Sequence, residues 1–178
     1  STSISAATGM AEAFRQKGQD ERCVVAVIGD GAMTGGMAFE ALNHAGSIDS
    51  NMLVVLNDNC MSIDSNVGAL NTYLTDVASS KTYNKLRNEV WNLLGRLNPI
   101  SETARHLASK LEDAILAYSK PGGLFEALGF RYFGPVDGHD VNHLVRIMRD
   151  LKDIPGPKLL HCITVKGKGF APAEEDQT

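Results

Sequence analysis

Two short, unbroken apolar runs flank a segment of helical spacing, and this order constrains the fold more than any other feature. The runs are Cys23-Val24-Val25-Ala26-Val27-Ile28 and Met52-Leu53-Val54-Val55-Leu56. Both are continuous and rich in β-branched residues, so they predict parallel strands covered on both faces. Residues 36–45 between them carry helical periodicity and stop at Gly46, a C-cap candidate. Strand, helix and strand within about 35 residues predict one right-handed βαβ unit.

A second unit follows near the C-terminus. Residues 129–133 read as a strand and Gly134-Pro135-Val136-Asp137-Gly138 as a turn. Residues 141–151 read as a helix carrying Leu144, Val145, Ile147 and Met148, with Asp140 as its N-cap, and residues 158–165 as a further strand. Residues 1–13 read as a small-residue helix, and residues 75–119 as mostly helical with Pro99 as the break. No internal repeat or low-complexity tract interrupts this. The expected class is α/β: a parallel β-sheet flanked by helices, one domain over 1–178 with a helical insert at about 75–120.

With 178 residues, 43% of them hydrophobic, the chain is long enough for one stable core. Its formal net charge of −4 gives no electrostatic footprint for nucleic acid or anionic membranes. No apolar run approaches the roughly 20 residues of a membrane helix, and the N-terminus lacks the basic and apolar regions of a signal peptide. The chain opens without Met and stops in Glu174-Glu175-Asp176-Gln177-Thr178, so both ends read as cuts through a longer multidomain protein. Cys23, Cys60 and Cys162 form no CxxC pair, which argues against a disulfide framework or zinc site and for a reducing compartment. Cys23 and Cys162 are expected as small buried hydrophobes, and Cys60 as a residue close to a site without nucleophilic activation.

The chemistry concentrates in Ile28-Gly29-Asp30-Gly31-Ala32-Met33-Thr34-Gly35-Gly36, which leaves a strand and enters a helix. Ligands of open parallel sheets bind at such strand ends. Glycines 29 and 31 allow the backbone close to a phosphate, and the helix start offers N–H groups. Thr34 stands where a dinucleotide fingerprint needs glycine, and Met37-Ala38 where a Walker A loop needs Lys-Ser/Thr. What remains is Asp30 after one strand and Asn57-Asp58-Asn59 after the next. If the strands are neighbours, Asp30 and Asn59 share one edge as hard oxygen ligands suited to Mg²⁺ held with a diphosphate. The bland alternative makes Asp30 a helix cap and Asn57-Asp58-Asn59 a polar turn; each piece alone would favour it, the pair in this context does not.

GDG followed by NDN resembles the thiamine diphosphate motif of transketolase-like enzymes. The wider string GDGAMTGGMAFEALNHAGSIDSNMLVVLNDNCMSI is similar to the 1-deoxy-D-xylulose-5-phosphate synthase family, as are STSISAATGMA, NVGALN, GFRYFGPVDGHD and KGKGFAPAEED. The resemblance covers nearly the whole chain and is weakest over 75–120. It implies a diphosphate-binding domain in which Asp30, the Asn59 amide oxygen and the Met61 carbonyl bind Mg²⁺. Gly31 and Ala32 would contact the diphosphate through backbone, and Ile63 would lie against the thiazolium ring. Lys166 and Phe170 would approach the cofactor from the last strand; Tyr is common in the family where Phe170 stands. A Gly-His pair, the glutamate that protonates the aminopyrimidine and several active-site histidines belong to regions outside these residues, so the chain alone is expected to be inactive.

The implied reaction is that of a transferase: condensation of pyruvate with D-glyceraldehyde 3-phosphate, with loss of CO2, for isoprenoid precursors, thiamine and pyridoxal. A cytoplasmic homodimer is implied (plastid in a plant), with small-molecule substrates and no nucleic acid or membrane partner. Rival readings are another transketolase-like thiamine diphosphate enzyme, a cofactor-binding subunit of a split enzyme, and an α/β domain without ligand.

Of five histidines, His44 is expected at a helix end, His106 in solvent, and His161 as a satisfied core residue. His139 is the one catalytic candidate, with helix capping the stronger reading. His139 and His143 have the i, i+4 spacing of a metal pair but no third ligand. Lys166-Gly167-Lys168-Gly169, at a strand's carboxyl end, reads as a phosphate contact rather than a solvated turn.

Overall fold

A computed structural model describes residues 2–59, 69–79 and 122–175. Its elements are α1 (Ser3–Gln16), β1 (Val24–Gly29), α2 (Asp30–Met33), α3 (Gly36–Ser47), β2 (Met52–Asp58), α4 (Ala69–Ser79), α5 (Gly123–Ala127), β3 (Arg131–Asp137), α6 (Val141–Lys152), β4 (Lys158–Ile163) and α7 (Ala171–Glu175). Four strands form one sheet in the order β1-β2-β4-β3, every neighbouring pair parallel. The expected parallel α/β fold is present, with β1 and β2 adjacent as the first βαβ unit requires. Of the expected insert, only the start falls in α4; Cys60, Met61, Ile63, Pro99 and His106 lie outside the described residues.

The sheet separates two apolar layers. On one face Ile4 and Ala7 of α1 and Ala38, Ala41, Leu42 and Ala45 of α3 pack on Val24, Ala26, Ile28, Val54, Leu56 and Leu159. On the other, Leu144, Ile147 and Leu151 of α6 cover Leu53, Val55, Leu160 and Cys162. Helix α6 starts as its sequence predicts: Asp140 Oδ1 accepts from His143 N–H at 2.9 Å.

Four expectations are corrected by position in the sheet. Among the described residues strand β1 is an edge, and the layer under α6 contains none of its residues, so its second face is open: Val25 is 50% and Val27 63% exposed. Cys23 stands before β1 rather than in it and is exposed, unlike Cys162. Gly46 is not a C-cap, because α3 runs on to Ser47. A Cβ there would overlap the Leu128 carbonyl oxygen, so the glycine serves a close crossing of helix and loop. Gly134-Pro135 is not a turn either: β3 continues to Asp137 with a register shift between Phe133 and Val136 and a cis Gly134–Pro135 bond. As an edge strand with a bulge, β3 tolerates a proline that lacks a ladder donor.

At the opposite end of β4, Lys158 is buried, and its ammonium donates to Asn51 Oδ1 (2.8 Å), Ile154 O (2.6 Å) and Gly156 O (2.8 Å). Three donors meet three neutral acceptors, and burial lowers the amine's pKa. This lysine ties the loop before β4 to the start of β2.

Burial pushes the Cys162 thiol up to about 11. Alkylation at pH 8 should therefore label Cys23 and spare Cys162 until the protein unfolds, as peptide mapping would show. A thiol whose folded pKa is raised contributes stability that is complete below its ordinary value of 9.0 and is lost as pH rises through about 11. Among the described residues no helix is long and apolar enough to cross a membrane.

Candidate functional site

Because all four strands run the same way, their carboxyl ends lie along one edge. Gly29 pairs with Asn57, and Asp58 and Asp137 both pair with Ile163. Asp30 follows β1 directly and Asn59 follows β2 directly, on neighbouring strands whose spacing is about 4.8 Å. The structure thus brings these two predicted residues to the same edge. Asp30 is only 3% exposed, and Asn59 is half-buried. A carboxylate and an amide oxygen in adjacent strand-end positions are donors that Mg²⁺ takes while phosphate oxygens and water complete its shell.

Asp30 opens the single turn α2, whose N-cap is Gly29 in extended conformation (φ −81°, ψ 154°). A glycine N-cap has no side chain to occupy the first-turn N–H groups. Gly31 and Ala32 lie in that turn, Gly31 half-buried and Ala32 exposed. Thr34 closes it by donating its hydroxyl to the Gly31 carbonyl at 2.7 Å.

The turn after β4 belongs to the same edge. Gly167 and Gly169 adopt φ of +77° and +89°, conformations that favour glycine, and a Cβ on Gly167 would lie 2.7 Å from that of Ala173. Glu174 holds the turn from below, accepting from Gly169 N–H at 2.9 Å and pairing with Lys168 at 3.8 Å. Lys166 is exposed, and Phe170 is 64% exposed.

His139 neither caps α6 nor joins a metal cluster. Its Nε2 accepts from Val165 N–H at 2.8 Å, and its own N–H donates to Asp137 Oδ1 at 2.8 Å. It therefore ties the exit of β4 to the exit of β3. Among the described residues no group of three or more His, Cys, Asp or Glu side chains could hold a metal, so His139 and His143 form no such site. His44 is exposed in the last turn of α3.

His161 is buried and bonded at both nitrogens, Nε2 with Asp58 Oδ2 at 2.8 Å and Nδ1 with the Tyr132 hydroxyl at 2.6 Å. Asn57 and Asp58 lie in β2 rather than in a polar turn. Thr164 Oγ1 donates to Asn57 Oδ1 (3.0 Å) and Thr164 N–H to Asp58 O (2.8 Å). Sequence reasoning missed this network. The available signal was a histidine and an aspartate in apolar strands, and nothing in their spacing announces that they meet.

A parallel sheet with helices on both faces and GDG and NDN at its first two strand ends is a transketolase-type α/β fold. The solved transketolase from Campylobacter jejuni matches it with a TM-score of 0.56 over 94% of this chain and 20% of that one, at 19% identity. More narrowly, the chain belongs to the 1-deoxy-D-xylulose-5-phosphate synthase family, whose model matches residues 1–164. Synthases from Cytophaga hutchinsonii and Chlorobium luteolum are 62% and 54% identical over 178 residues, covering 99% and 100% of this chain. The Cellvibrio japonicus synthase is 56% identical over 176 residues, 99% of this chain. The chain spans 27–28% of the length of these relatives.

Proposed function

We propose that these residues form the diphosphate- and magnesium-binding part of a 1-deoxy-D-xylulose-5-phosphate synthase. This transferase would condense pyruvate with D-glyceraldehyde 3-phosphate, releasing CO2, in a pathway to isoprenoid precursors, thiamine and pyridoxal. One observation carries the reading: a buried Asp30 directly follows β1, beside the strand that delivers Asn59, in a chain of this family.

Asp30 and Asn59 hold Mg²⁺ through oxygen, and the N–H groups of Gly31 and Ala32 bind diphosphate oxygens. Lys166 adds positive charge from the neighbouring turn, and Phe170 offers an apolar surface without the hydroxyl a tyrosine would bring. The roles of the Met61 carbonyl and of Ile63 against the thiazolium ring rest on the family resemblance. When bound, thiamine diphosphate supplies carbanion stabilisation, while the protein's share is binding and orientation. His139 acts here on the turn that bears Lys166, not on a reacting atom. The synthase is proposed as a cytoplasmic homodimer, a location that the bacterial sources of the relatives favour.

Calorimetric titration with thiamine diphosphate tests the site. Heat of binding should appear with Mg²⁺ present and vanish when a chelator removes it. Magnesium-independent binding, or none in the full natural chain, would overturn the proposal.

A further inference from the structure

On the face covered by α1 and α3, β2 presents Met52, Val54 and Leu56 to an apolar layer, and then Asp58. The Asp58 and His161 side chains are 1% and 0% exposed, the most deeply buried charged and imidazole groups among the described ion pairs. Taking a carboxylate out of water is costly, and well-packed apolar residues of similar volume often serve a fold as well. Their position is therefore informative. Asp58 is the last ladder residue of β2, and Asn59 comes next.

The network closes around that strand end. With the Asp58 carboxylate accepting, His161 Nε2–H donates, and in the neutral ring Nδ1 accepts from the Tyr132 hydroxyl. The Tyr132 ring stacks on Phe125 at 5.9 Å with planes 6° apart, which holds the hydroxyl in place. Thr164, the residue after β4, engages the Asp58 carbonyl and the Asn57 side chain. β2 is thus held by His161 of β4 and by Thr164 just after it where its backbone pairing runs out, with Tyr132 of β3 backing His161, and metal–ligand distances are expected to hold within about 0.2 Å.

We propose that His161, backed by Tyr132, is a positioning residue for Asn59: through Asp58 it fixes the strand end that carries the metal-binding amide. This rests on the metal site proposed above, and the mechanism given there does not use these residues.

The test uses the full natural chain with saturating thiamine diphosphate, reading the half-saturating Mg²⁺ concentration at 25 °C and, separately, the melting temperature. His161→Leu should raise the half-saturating Mg²⁺ about 10-fold or more, the lower end of what outer-shell partners give, and Tyr132→Phe, one bond further from the strand end, about 3-fold or more. His161→Gln, whose amide can donate to Asp58 and accept from Tyr132, should restore it to within about 3-fold of wild type. That rescue should hold even if the two His161 variants melt alike, which a merely structural role would not give. Asp30→Ala is the control. If it loses Mg²⁺ while folded His161→Leu and Tyr132→Phe bind as wild type, the positioning role is wrong and the metal site stands. If Asp30→Ala also binds as wild type, the metal site falls and the positioning role with it. If His161→Leu does not fold, Tyr132→Phe decides by the same criterion.

Discussion

Asp30→Asn is expected to remove the rise in melting temperature that Mg²⁺ and thiamine diphosphate together give the wild-type chain. The amide keeps the shape of the buried side chain and deletes the one formal charge assigned to the metal. Losing a directly bound carboxylate should cost at least the upper end of the 10–100-fold typical of outer-shell partners, so about 100-fold. A ligand at 100 times its dissociation constant stabilises a protein by about 2.7 kcal/mol, and at one times by only about 0.4 kcal/mol. At about 2–4 °C per kcal/mol for a chain of this size, the shift should drop from about 5–10 °C to about 1 °C. Differential scanning calorimetry with and without both ligands reads this directly. An undiminished shift would make Asp30 a helix residue only.

Gly46→Ala should destabilise the protein, although alanine is the better helix former by about 1 kcal/mol. Gly46 sits inside α3, where the added methyl would collide with the Leu128 carbonyl oxygen and lie 3.4 Å from the Gly129 Cα. Both obstacles are backbone, and neither can rotate away as a side chain would. Overpacking of this kind costs about 1–3 kcal/mol, which outweighs the propensity gain. Gly9→Ala in α1 is the matched control, because a Cβ there meets nothing within 4 Å. It should stabilise by up to about 1 kcal/mol. Opposite shifts of the denaturant midpoint in the two variants would establish that helix crossing, not helix propensity, selects glycine at 46. Stabilisation by both would show that the loop at Leu128 yields.

The elements visible in the sequence were those encoded by neighbours a few residues apart. The runs at 23–28, 52–56 and 158–165, the helical spacing at 36–45 and 141–151, and the Asp140 cap all rest on local periodicity and capping. The edge shared by Asp30 and Asn59 was also within reach, because two parallel strands joined by one helix must end on the same side. Family strings added the roles proposed for Gly31, Ala32, Lys166 and Phe170, which pairing and spacing could not supply.

The remainder depended on neighbours remote in sequence. Whether Val25 and Val27 are covered depends on which strand becomes the edge and on where α6 lies. Gly46 answers to Leu128, and Cys23 to the register at which β1 begins. Gly134-Pro135 carries a turn signal that an edge strand overrides. His161 meets Tyr132 across 29 positions and Asp58 across 103. The sequence by itself determined the class of fold, the strand ends proposed to hold the metal and the family. The tertiary structure alone decided which faces stay open, which glycine is obligatory and which buried polar groups brace the strand end. Periodicity and capping act within a few residues of chain, whereas burial, close backbone crossing and hydrogen-bond partnership are properties of elements brought together only by folding.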